Sequence, residues 1–278
     1  MDYHQLKQAI DGYASRELTQ RKVWYSSAAD AYNQVRPSYP TALVARVMEV
    51  AQLSTSSSIL EVGCGPGTAT VSFAPLVSSM VCVEPNSDFT RLAQQNCQAY
   101  PSVTVHNTSF EEWPVATARF DAVLAATSFH WIPAAVSYPK AAQALKDQGR
   151  LILLWNNELR PSYEIYQRFA PIYQRHAPSL ARYEDKRTQE KILQNLGDIM
   201  VESGHFSNMV SGHMTSNVTY TSLEYLSLLT TYSPYLELES PVRQALLADL
   251  KTLIDQEFAG KLELSYISAF HIAQKAES

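Results

Sequence analysis

The chain has 278 residues, of which 46% are hydrophobic and 18% charged, and its formal net charge is −5. This composition is typical of a soluble globular protein built as one large domain, or as one domain with a sizeable insertion, and the negative charge argues against a nucleic acid partner. The sequence has no signal-peptide pattern, no apolar stretch of about 20 residues and no paired cysteine spacing among Cys64, Cys82 and Cys97, so we expect a cytoplasmic protein without a membrane partner.

Residues 1–39 are helical and aromatic in pattern, and we expect them to form an N-terminal lid. Between residues 40 and 156, short apolar runs alternate with amphipathic stretches, which predicts a cofactor-binding α/β core with a Rossmann-like, doubly wound and mostly parallel sheet. The predicted strands are 58–62, 80–83, 103–106, 120–126 and 149–155. The predicted helices are 41–53, 68–76, 87–99 and 134–145.

The pattern changes after residue 156. Residues 157–235 are rich in Tyr and contain predicted helices at 163–175 and 189–201, which indicates a helical substrate cap with a sheet strand. Residues 236–278 hold a predicted helix at 241–258 and an apolar strand at 262–273, which we expect to complete the core. Because ligands of open α/β sheets bind at the carboxyl ends of the strands, a lid and a cap there would enclose a pocket.

The stretch ILEVGCGPGT, residues 59–68, is an apolar strand that runs into a glycine-rich loop. Its spacing, Gly63-x-Gly65-x-Gly67, differs from the G-x-G-x-x-G/A fingerprint of dinucleotide sites, because Thr stands at positions 68 and 70. No Lys follows the glycines, so a nucleotide-triphosphate loop is excluded as well. Pro66 removes a backbone N–H from the loop, which further disfavours an anion.

Two acidic residues indicate the kind of ligand instead. Glu61 directly precedes the loop, and if it points into the site it would repel a phosphate about 4 Å away by roughly 4 kcal/mol at an effective dielectric near 20. Glu84 lies 21 residues beyond Gly63 at the end of the second strand, the position that accepts hydrogen bonds from ribose hydroxyls. A cationic ligand with an adenosine ribose and no phosphate fits both, and S-adenosylmethionine is such a ligand.

The sequence resembles the class I S-adenosylmethionine-dependent methyltransferases. ILEVGCGPGT is similar to the first motif of that family, VCVEPN to its ribose-binding second strand, NTSFEEWP to the segment after the third strand, and FDAVLAATSFHWI and GRLILLWN to the fourth and fifth strands. The stretches SFHWI and YNQVRPSYP resemble the small-molecule subgroup (methyltransferase type 11) that includes trans-aconitate methyltransferases. The resemblance covers residues 23–156 well and the tail more loosely.

The resemblance implies a seven-stranded sheet whose last strand is antiparallel, with S-adenosylhomocysteine as the product. It places the methionine end of the cofactor at Glu61, Gly63, Cys64, Gly65 and Gly67, and the ribose at Glu84. It places the adenine between Pro85 or Asn86 on one side and Ser109 and Phe110 on the other, and it puts Ala125, Ala126 and Thr127 under the sulfonium.

Methyl transfer requires an aligned nucleophile and the exclusion of water, and it requires neither a triad nor a metal. His130 follows the fourth strand, where the methyl group would sit, and a histidine of near-neutral pKa suits removal of a proton from a hydroxyl or an amine. The alternatives are that His130 contacts the substrate or the cofactor, or that it is structural. A carboxylate acceptor needs no base.

The segment from Tyr25 to Pro40 is predicted to form a lid strand over the cofactor. Within it, Arg36 is a candidate partner for a carboxylate of the methionyl group or of an acidic substrate, and Tyr32 is a candidate to close over the sulfonium. The alternative is a rigid entry to the next helix, in which Pro37 and Pro40 fix the path of the chain.

Aromatic residues after residue 154 are candidates for a substrate pocket, although at helical spacing such residues also form cores. These are Trp155, Tyr163, Tyr166, Tyr173, Tyr225, Tyr232 and Tyr235. The remaining histidines have no metal-ligand spacing and are interpreted as structural, and we expect no metal. They are His106, His176, His205, His213 and His271.

Two other functions stay open at this point. A nicotinamide-dependent oxidoreductase is disfavoured by the glycine spacing, by Pro66 and by Glu61. A non-catalytic protein that binds S-adenosylmethionine is disfavoured only by the intact loop and by His130. The interpretation that best fits the sequence is methyl transfer to a small molecule, most simply to an oxygen of a carboxylate or hydroxyl, with nitrogen and carbon acceptors and the oligomeric state left open.

Overall fold

The computed structural model describes residues 3–277, and a seven-stranded sheet forms its centre. The strands are β1 (Ser58–Val62), β2 (Ser79–Glu84), β3 (Val103–Asn107), β4 (Phe120–Ala126), β5 (Leu145–Asn156), β6 (Phe206–Thr221) and β7 (Lys261–Lys275). Their spatial order is β3-β2-β1-β4-β5-β7-β6. β1 to β5 are parallel, and β7 runs antiparallel to both of its neighbours. The expected fold, a mostly parallel sheet with an antiparallel last strand, is confirmed.

Helices surround this sheet along the described chain. They are α1 (Tyr3–Ala14), α2 (Leu18–Val23), α3 (Ala29–Val35), α4 (Thr41–Val50), α5 (Thr70–Phe73), α6 (Ser87–Asn96), α7 (Ala134–Ala144), α8 (Tyr163–His176), α9 (Lys186–Glu202), α10 (Ser222–Leu229), α11 (Ser233–Leu236) and α12 (Ser240–Glu257). The helix predicted at 68–76 is shorter than expected, because a single α turn passes into the 3₁₀ turn Ala74–Leu76, where Pro75 has no N–H to donate. No helix within residues 3–277 has the length and apolar character needed to cross a membrane.

The central strands of the sheet are buried on both faces, which explains why they are continuous apolar runs. Successive side chains of a strand point to opposite faces. In β1, Leu60 and Val62 enter one core together with α7 and α9, whereas Ile59 enters a second core with α4 and α6. All three side chains are fully buried.

A third core lies away from the glycine loop and joins α8, α10 and α12 with the far ends of β6 and β7. Phe169, Leu228 and Leu250 lie at its centre. The tail helix α12 therefore packs mainly on the cap helices, while β7, the other tail element, joins the sheet between β5 and the edge strand β6.

The predicted lid strand between Tyr25 and Pro40 is wrong. The chain forms the 3₁₀ turn Ser26–Ala28 and then α3, and it becomes extended only from Arg36. Helix α3 is favoured because its inner face, with Ala29 and Tyr32, packs on Phe89 of α6. The N-terminal helices therefore cover the carboxyl-end edge of the sheet with side chains rather than with an added strand.

Candidate functional site

A cavity of about 170 Å³ lies at the carboxyl ends of β1, β2, β4 and β5, beneath α2 and α3. Most of the residues expected at the site line this cavity: Tyr32, Arg36, Gly63, Cys64, Gly65, Glu84, Pro85, Asn86, Phe110, Ala126, Thr127 and His130. Four expected residues lie outside it: Glu61, Gly67, Ser109 and Ala125. The edge of the sheet that the strand pattern indicated is therefore also the edge that carries the cavity.

The glycine loop turns sharply because its glycines occupy the left-handed region, where other residues are strained. Gly63 has φ +66°, and an added Cβ there would lie 2.7 Å from Cβ of Ser128. Gly65 has φ +56°, and an added Cβ there would meet no other atom within 4 Å, because this position opens onto the cavity. The loop thus presents bare backbone to whatever occupies the cavity.

Glu84, at the tip of β2, is the carboxylate that faces this loop. Its side chain is 5% exposed; Oε2 accepts a hydrogen bond from Gly65 N at 2.8 Å and Oε1 accepts one from Asn86 N at 2.9 Å. Burial raises the pKa of Glu84 to about 7, although the two backbone N–H groups favour its charged form. The two hydrogen bonds fix the carboxylate and leave other lone pairs free for a ligand.

Glu61, expected at the methionine end of the cofactor, does not line the cavity. Its side chain is fully buried beneath the loop, where Oε2 accepts hydrogen bonds from Thr70 Oγ1 at 2.6 Å and from Cys82 Sγ at 3.7 Å. Oε1 has no hydrogen-bond partner among the described residues. Burial raises the pKa of Glu61 to about 7. Glu61 therefore does not point at the place where a phosphate in the cavity would lie, and the expected repulsion does not apply.

Asn86 lines the cavity but uses its side-chain atoms within the protein. Oδ1 caps α6 by accepting from Asp88 N and Phe89 N, and Nδ2 donates to Lys22 O at 2.9 Å and to Ser26 Oγ at 3.0 Å. Asn86 thereby fastens the N-terminal segment to the tip of β2.

The segment after β3 contributes one expected residue to the cavity rather than two. Phe110 lines it, whereas Ser109 is buried in the turn, where its hydroxyl donates to Glu112 Oε2 at 2.9 Å. Ser109 therefore does not line the cavity itself, and its hydroxyl organises the turn that carries Phe110.

At the end of β4 the cavity begins one residue later than expected. Ala125 is buried in the sheet core, and Ala126 and Thr127 form the wall. Thr127 has φ +56°, a conformation that costs a β-branched residue about 1–3 kcal/mol. Its N–H donates to Leu154 O, and its hydroxyl lies 3.0 Å from the hydroxyl of Tyr39. Gly67, the other expected residue outside the cavity, packs near Ala93 and Cys97.

His130 lies in the 3₁₀ turn Phe129–Trp131 after β4 and is enclosed by aromatic rings. Its ring centroid is 5.4 Å from that of Trp155 and 5.8 Å from that of Trp131. Nδ1 is buried without a hydrogen-bond partner among the described residues. Burial lowers the pKa of His130 to about 4, so the expected near-neutral pKa is wrong and the ring is neutral at pH 7.

Comparison with known proteins identifies the core. Residues 59–149 match the family model described as a methyltransferase domain. Residues 59–149 of this chain are therefore a methyltransferase domain. An uncharacterised methyltransferase of Mycobacterium tuberculosis is 30% identical over 132 residues, which are 48% of this chain and 51% of that protein. A probable S-adenosylmethionine-dependent methyltransferase of Saccharomyces cerevisiae is 24% identical over 60% of this chain and 58% of its own.

The fold of the methyltransferase domain and its flanking helices is also found in solved structures. A putative type II methyltransferase from Anaeromyxobacter dehalogenans superposes with a TM-score of 0.63 at 17% identity, covering 86% of this chain and 97% of that one. By sequence, the chain spans about half the length of the curated relatives it matches first.

Arg36 lies where the N-terminal segment meets the methyltransferase domain. Its Nε donates to Thr231 Oγ1 and its Nη2 to Thr231 O, both at 2.8 Å, and the guanidinium lies over the rings of Tyr32 and Tyr232 at 4.7 and 4.1 Å. Within residues 3–277 no carboxylate forms an ion pair with it. A second arginine of the cavity, Arg21, is by contrast neutralised by Glu111 at 2.7 Å.

The tyrosines of the cap do not line the main cavity of the methyltransferase domain. Tyr166, Tyr173, Tyr225, Tyr232 and Tyr235 surround a second cavity of about 60 Å³. The hydroxyls of Tyr173 and Tyr235 are 2.6 Å apart, and Tyr232 accepts a hydrogen bond from Leu159 N. The two remaining candidates also lie elsewhere, since Trp155 is in the sheet core and Tyr163 is exposed. These aromatic residues mainly build the cap.

Several cavity residues escaped the sequence analysis: Arg21, Tyr25, Phe89, Glu111, Trp131, Asn156 and Asn157. The two asparagines had a usable signal, because polar residues that follow a buried strand lie at the ligand-binding edge of such a sheet. The others lie on helices or loops whose approach depends on packing. Among residues 3–277, no three His, Cys, Asp or Glu side chains form a group that could hold a metal ion.

Proposed function

We propose that this chain transfers the methyl group of S-adenosylmethionine to an oxygen of a small-molecule acceptor. The observation that carries the proposal is the pairing of an open glycine loop with the fixed Glu84 carboxylate at one end of the cavity. A carboxylate in that position suits ribose hydroxyls, which donate hydrogen bonds. The description of the yeast relative as S-adenosylmethionine-dependent agrees with this choice of cofactor.

The residues of the cavity fit the parts of the cofactor in strand order. Glu84 would hold the ribose, Phe110 and Pro85 the adenine, and the bare backbone at Gly65 the methionyl part. Thr127 would lie under the sulfonium. When bound, the cofactor supplies an activated methyl group with a neutral thioether as leaving group. The protein's own task is to orient the acceptor and to exclude water.

His130 would hold the acceptor rather than take its proton. The buried imidazole is neutral at pH 7, and a pKa of about 4 makes it a weak base. A neutral imidazole still donates or accepts one hydrogen bond through each nitrogen. A carboxylate acceptor already carries the nucleophilic charge, so a holding residue is sufficient for it. A hydroxyl acceptor would need another group to receive its proton.

The small volume of the cavity, about 170 Å³, supports a small acceptor. The N-terminal helices lie across the cavity and are fastened to the domain by the Arg21–Glu111 and Lys22–Glu112 ion pairs. A macromolecular chain would have to displace them. The net charge of −5 also disfavours a nucleic acid substrate.

The test is thermal unfolding with S-adenosylmethionine, S-adenosylhomocysteine or NADH. Ligand at about 100 times its Kd adds about 2.7 kcal/mol to the free energy of unfolding, which for a chain of this size raises Tm by about 5–10 °C. We expect that shift with both adenosyl ligands and none with NADH. A shift with NADH alone would refute the proposal. Conversion of the cofactor to S-adenosylhomocysteine with a panel of small acids and alcohols would separate an enzyme from a binding protein.

A further inference from the structure

Two consecutive asparagines lie at the end of β5 beside the cavity, and only the side chain of the first forms hydrogen bonds with described residues. The side chain of Asn156 accepts a hydrogen bond from Ser268 Oγ at 2.6 Å and donates one to Pro37 O at 3.2 Å. The backbone N–H of Asn157 donates to Ile267 O at 3.0 Å, but its side-chain amide has no hydrogen bond to a described residue. Asn157 lines the cavity and is partly exposed, so this amide is open to a ligand.

The same contact brings Arg36 to this end of the cavity. Because Asn156 binds the carbonyl of Pro37, the residue before Pro37 is held beside the end of β5. Nε and Nη2 of Arg36 bind Thr231, which leaves Nη1 without a hydrogen bond to a described residue. Arg36 lines the cavity with no paired carboxylate, unlike Arg21. A partly buried cation that has no paired carboxylate favours an anionic ligand.

We propose that Asn157 and Arg36 form a carboxylate-binding subsite that holds the methyl acceptor. A guanidinium and an amide NH₂ both donate hydrogen bonds, and carboxylate oxygens accept up to four. This inference rests on the proposed function for the identity of the ligand, but the subsite itself depends only on the two side chains. It narrows the acceptor to molecules that carry a carboxylate.

The position of Asn157 in the sheet favours the acceptor over the cofactor as the source of that carboxylate. The glycine loop follows β1, whereas Asn157 follows β5, and β4 lies between them. At about 4.8 Å per strand, the two strand ends are separated by roughly 10 Å. His130 follows β4 and lines the same region of the cavity. The methionyl carboxylate is the competing source, and the experiment must separate the two.

The experiment compares Asn157→Asp with Asn217→Asp, a matched control. Both variants add one negative charge in nearly unchanged volume, but Asn217 is exposed on β6 and does not line the cavity. The probes are benzoate and its neutral analogue benzamide, titrated by calorimetry with and without saturating S-adenosylhomocysteine. We expect Asn157→Asp to weaken the binding of benzoate at least tenfold and the binding of benzamide less than threefold, because only benzoate carries a negative charge that the new carboxylate repels. Asn217→Asp should change neither affinity.

Titrations with two further ligands show whether the carboxylate belongs to the acceptor or to the cofactor. The Kd values of S-adenosylhomocysteine and of 5′-methylthioadenosine, which lacks the amino-acid part, are measured for the same proteins. If Asn157→Asp binds S-adenosylhomocysteine ten times more weakly, but binds 5′-methylthioadenosine and benzoate as the wild type does, the carboxylate at this subsite belongs to the cofactor and the inference is overturned. Unchanged benzoate affinity in Asn157→Asp would overturn it directly. If Asn157→Asp fails to fold, Asn157→Leu, which removes the amide without adding charge, should still weaken benzoate at least threefold.

Failure of the proposed function gives a different pattern. If neither adenosyl ligand binds the wild-type protein, the choice of cofactor is wrong, and the benzoate titrations without ligand still measure the subsite. If the adenosyl ligands bind and benzoate shows no preference over benzamide, the proposed function stands and the carboxylate subsite is refuted. Thermal unfolding of each variant confirms that the comparison is made between folded proteins.

Discussion

Replacing Glu61 by Gln separates its sequence-based role from the role that the structure gives it. The resemblance places Glu61 against the methionyl part of the cofactor, whereas the structure buries it beneath the loop. The Gln oxygen can still accept the hydrogen bonds of Thr70 and Cys82. Its NH₂ replaces Oε1, which has no partner among the described residues. We therefore expect a change in stability and its pH dependence rather than in ligand affinity.

The size and sign of that change follow from the pKa of Glu61, which burial raises from 4.5 to about 7. The folded state holds the proton more tightly than the unfolded state. The stabilisation is therefore fully present below pH 4.5 and is lost as the pH rises through 7. Each pH unit between the two values corresponds to about 1.4 kcal/mol, so the wild-type protein loses about 2–3 kcal/mol between pH 5 and pH 8 through this one group.

Urea unfolding at pH 5, 6, 7 and 8, followed by tryptophan fluorescence, measures this loss. The free energy of unfolding of Glu61→Gln should fall about 2–3 kcal/mol less than that of the wild type over this range. The variant should be less stable at pH 5, where its buried NH₂ lacks a partner at a cost of about 1–3 kcal/mol. Parallel pH profiles for the two proteins would refute the reasoning. A more than tenfold rise in the Kd of S-adenosylhomocysteine would instead restore Glu61 to the site.

Three other outcomes test the site. Gly65→Arg should weaken the binding of S-adenosylhomocysteine at least 100-fold, because the arginine side chain enters the cavity. The control is Gly204→Arg, at a position that also has positive φ and open space but is remote from the cavity, and it should bind the ligand normally. Equal losses of affinity in the two variants would show that backbone strain alone is the cause. His130→Ala should lower turnover at least tenfold with cofactor affinity within threefold. At saturating S-adenosylmethionine, the wild-type rate should show no transition near pH 6.5 that is absent from His130→Ala, since burial lowers the pKa of His130 to about 4. Because the pKa of Glu84 is about 7 and its charged form accepts the ribose hydrogen bonds, affinity should rise about tenfold from pH 6 to pH 8. Glu84→Gln should abolish that rise, and a rise that persists would contradict the role of Glu84.

The sequence predicted well those elements of the fold whose bounds are set by burial alone. β1 and β4 have the predicted bounds because both are continuous apolar runs buried on both faces. The sheet strand expected somewhere in the cap could not be located, because β6 alternates small polar residues on an exposed edge and has no apolar run. Residues 25–40 were misassigned because their aromatic and β-branched residues favour a strand, whereas contacts with α6 stabilise a helix.

The same distinction applies to the residues of the candidate site. The position of Glu84 could be predicted, because the end of a strand fixes where a residue lies along the sheet. The orientation of the Glu61 side chain could not be predicted. Residues on both faces of β1 are buried, so a pattern of apolar residues does not show which face Glu61 lies on. The low pKa of His130 follows from burial, and rings of Trp155 in β5 and Tyr13 in α1, 5.4 and 6.1 Å away, approach it from distant parts of the chain. Such a property is set by tertiary packing and leaves no local pattern in the sequence.

The charges of the cavity give its two ends opposite character. Glu84 supplies a carboxylate at the β2 end, and Arg21 and Glu111 neutralise each other. Arg36 supplies an unpaired cation toward the β5 end. A cationic methyl donor and an anionic acceptor would therefore be drawn to opposite ends and meet near Thr127, at the end of β4 between them. We infer that the order of the strands sets the order of the chemistry, with recognition of the ribose at β2, methyl transfer at β4 and acceptor binding at β5.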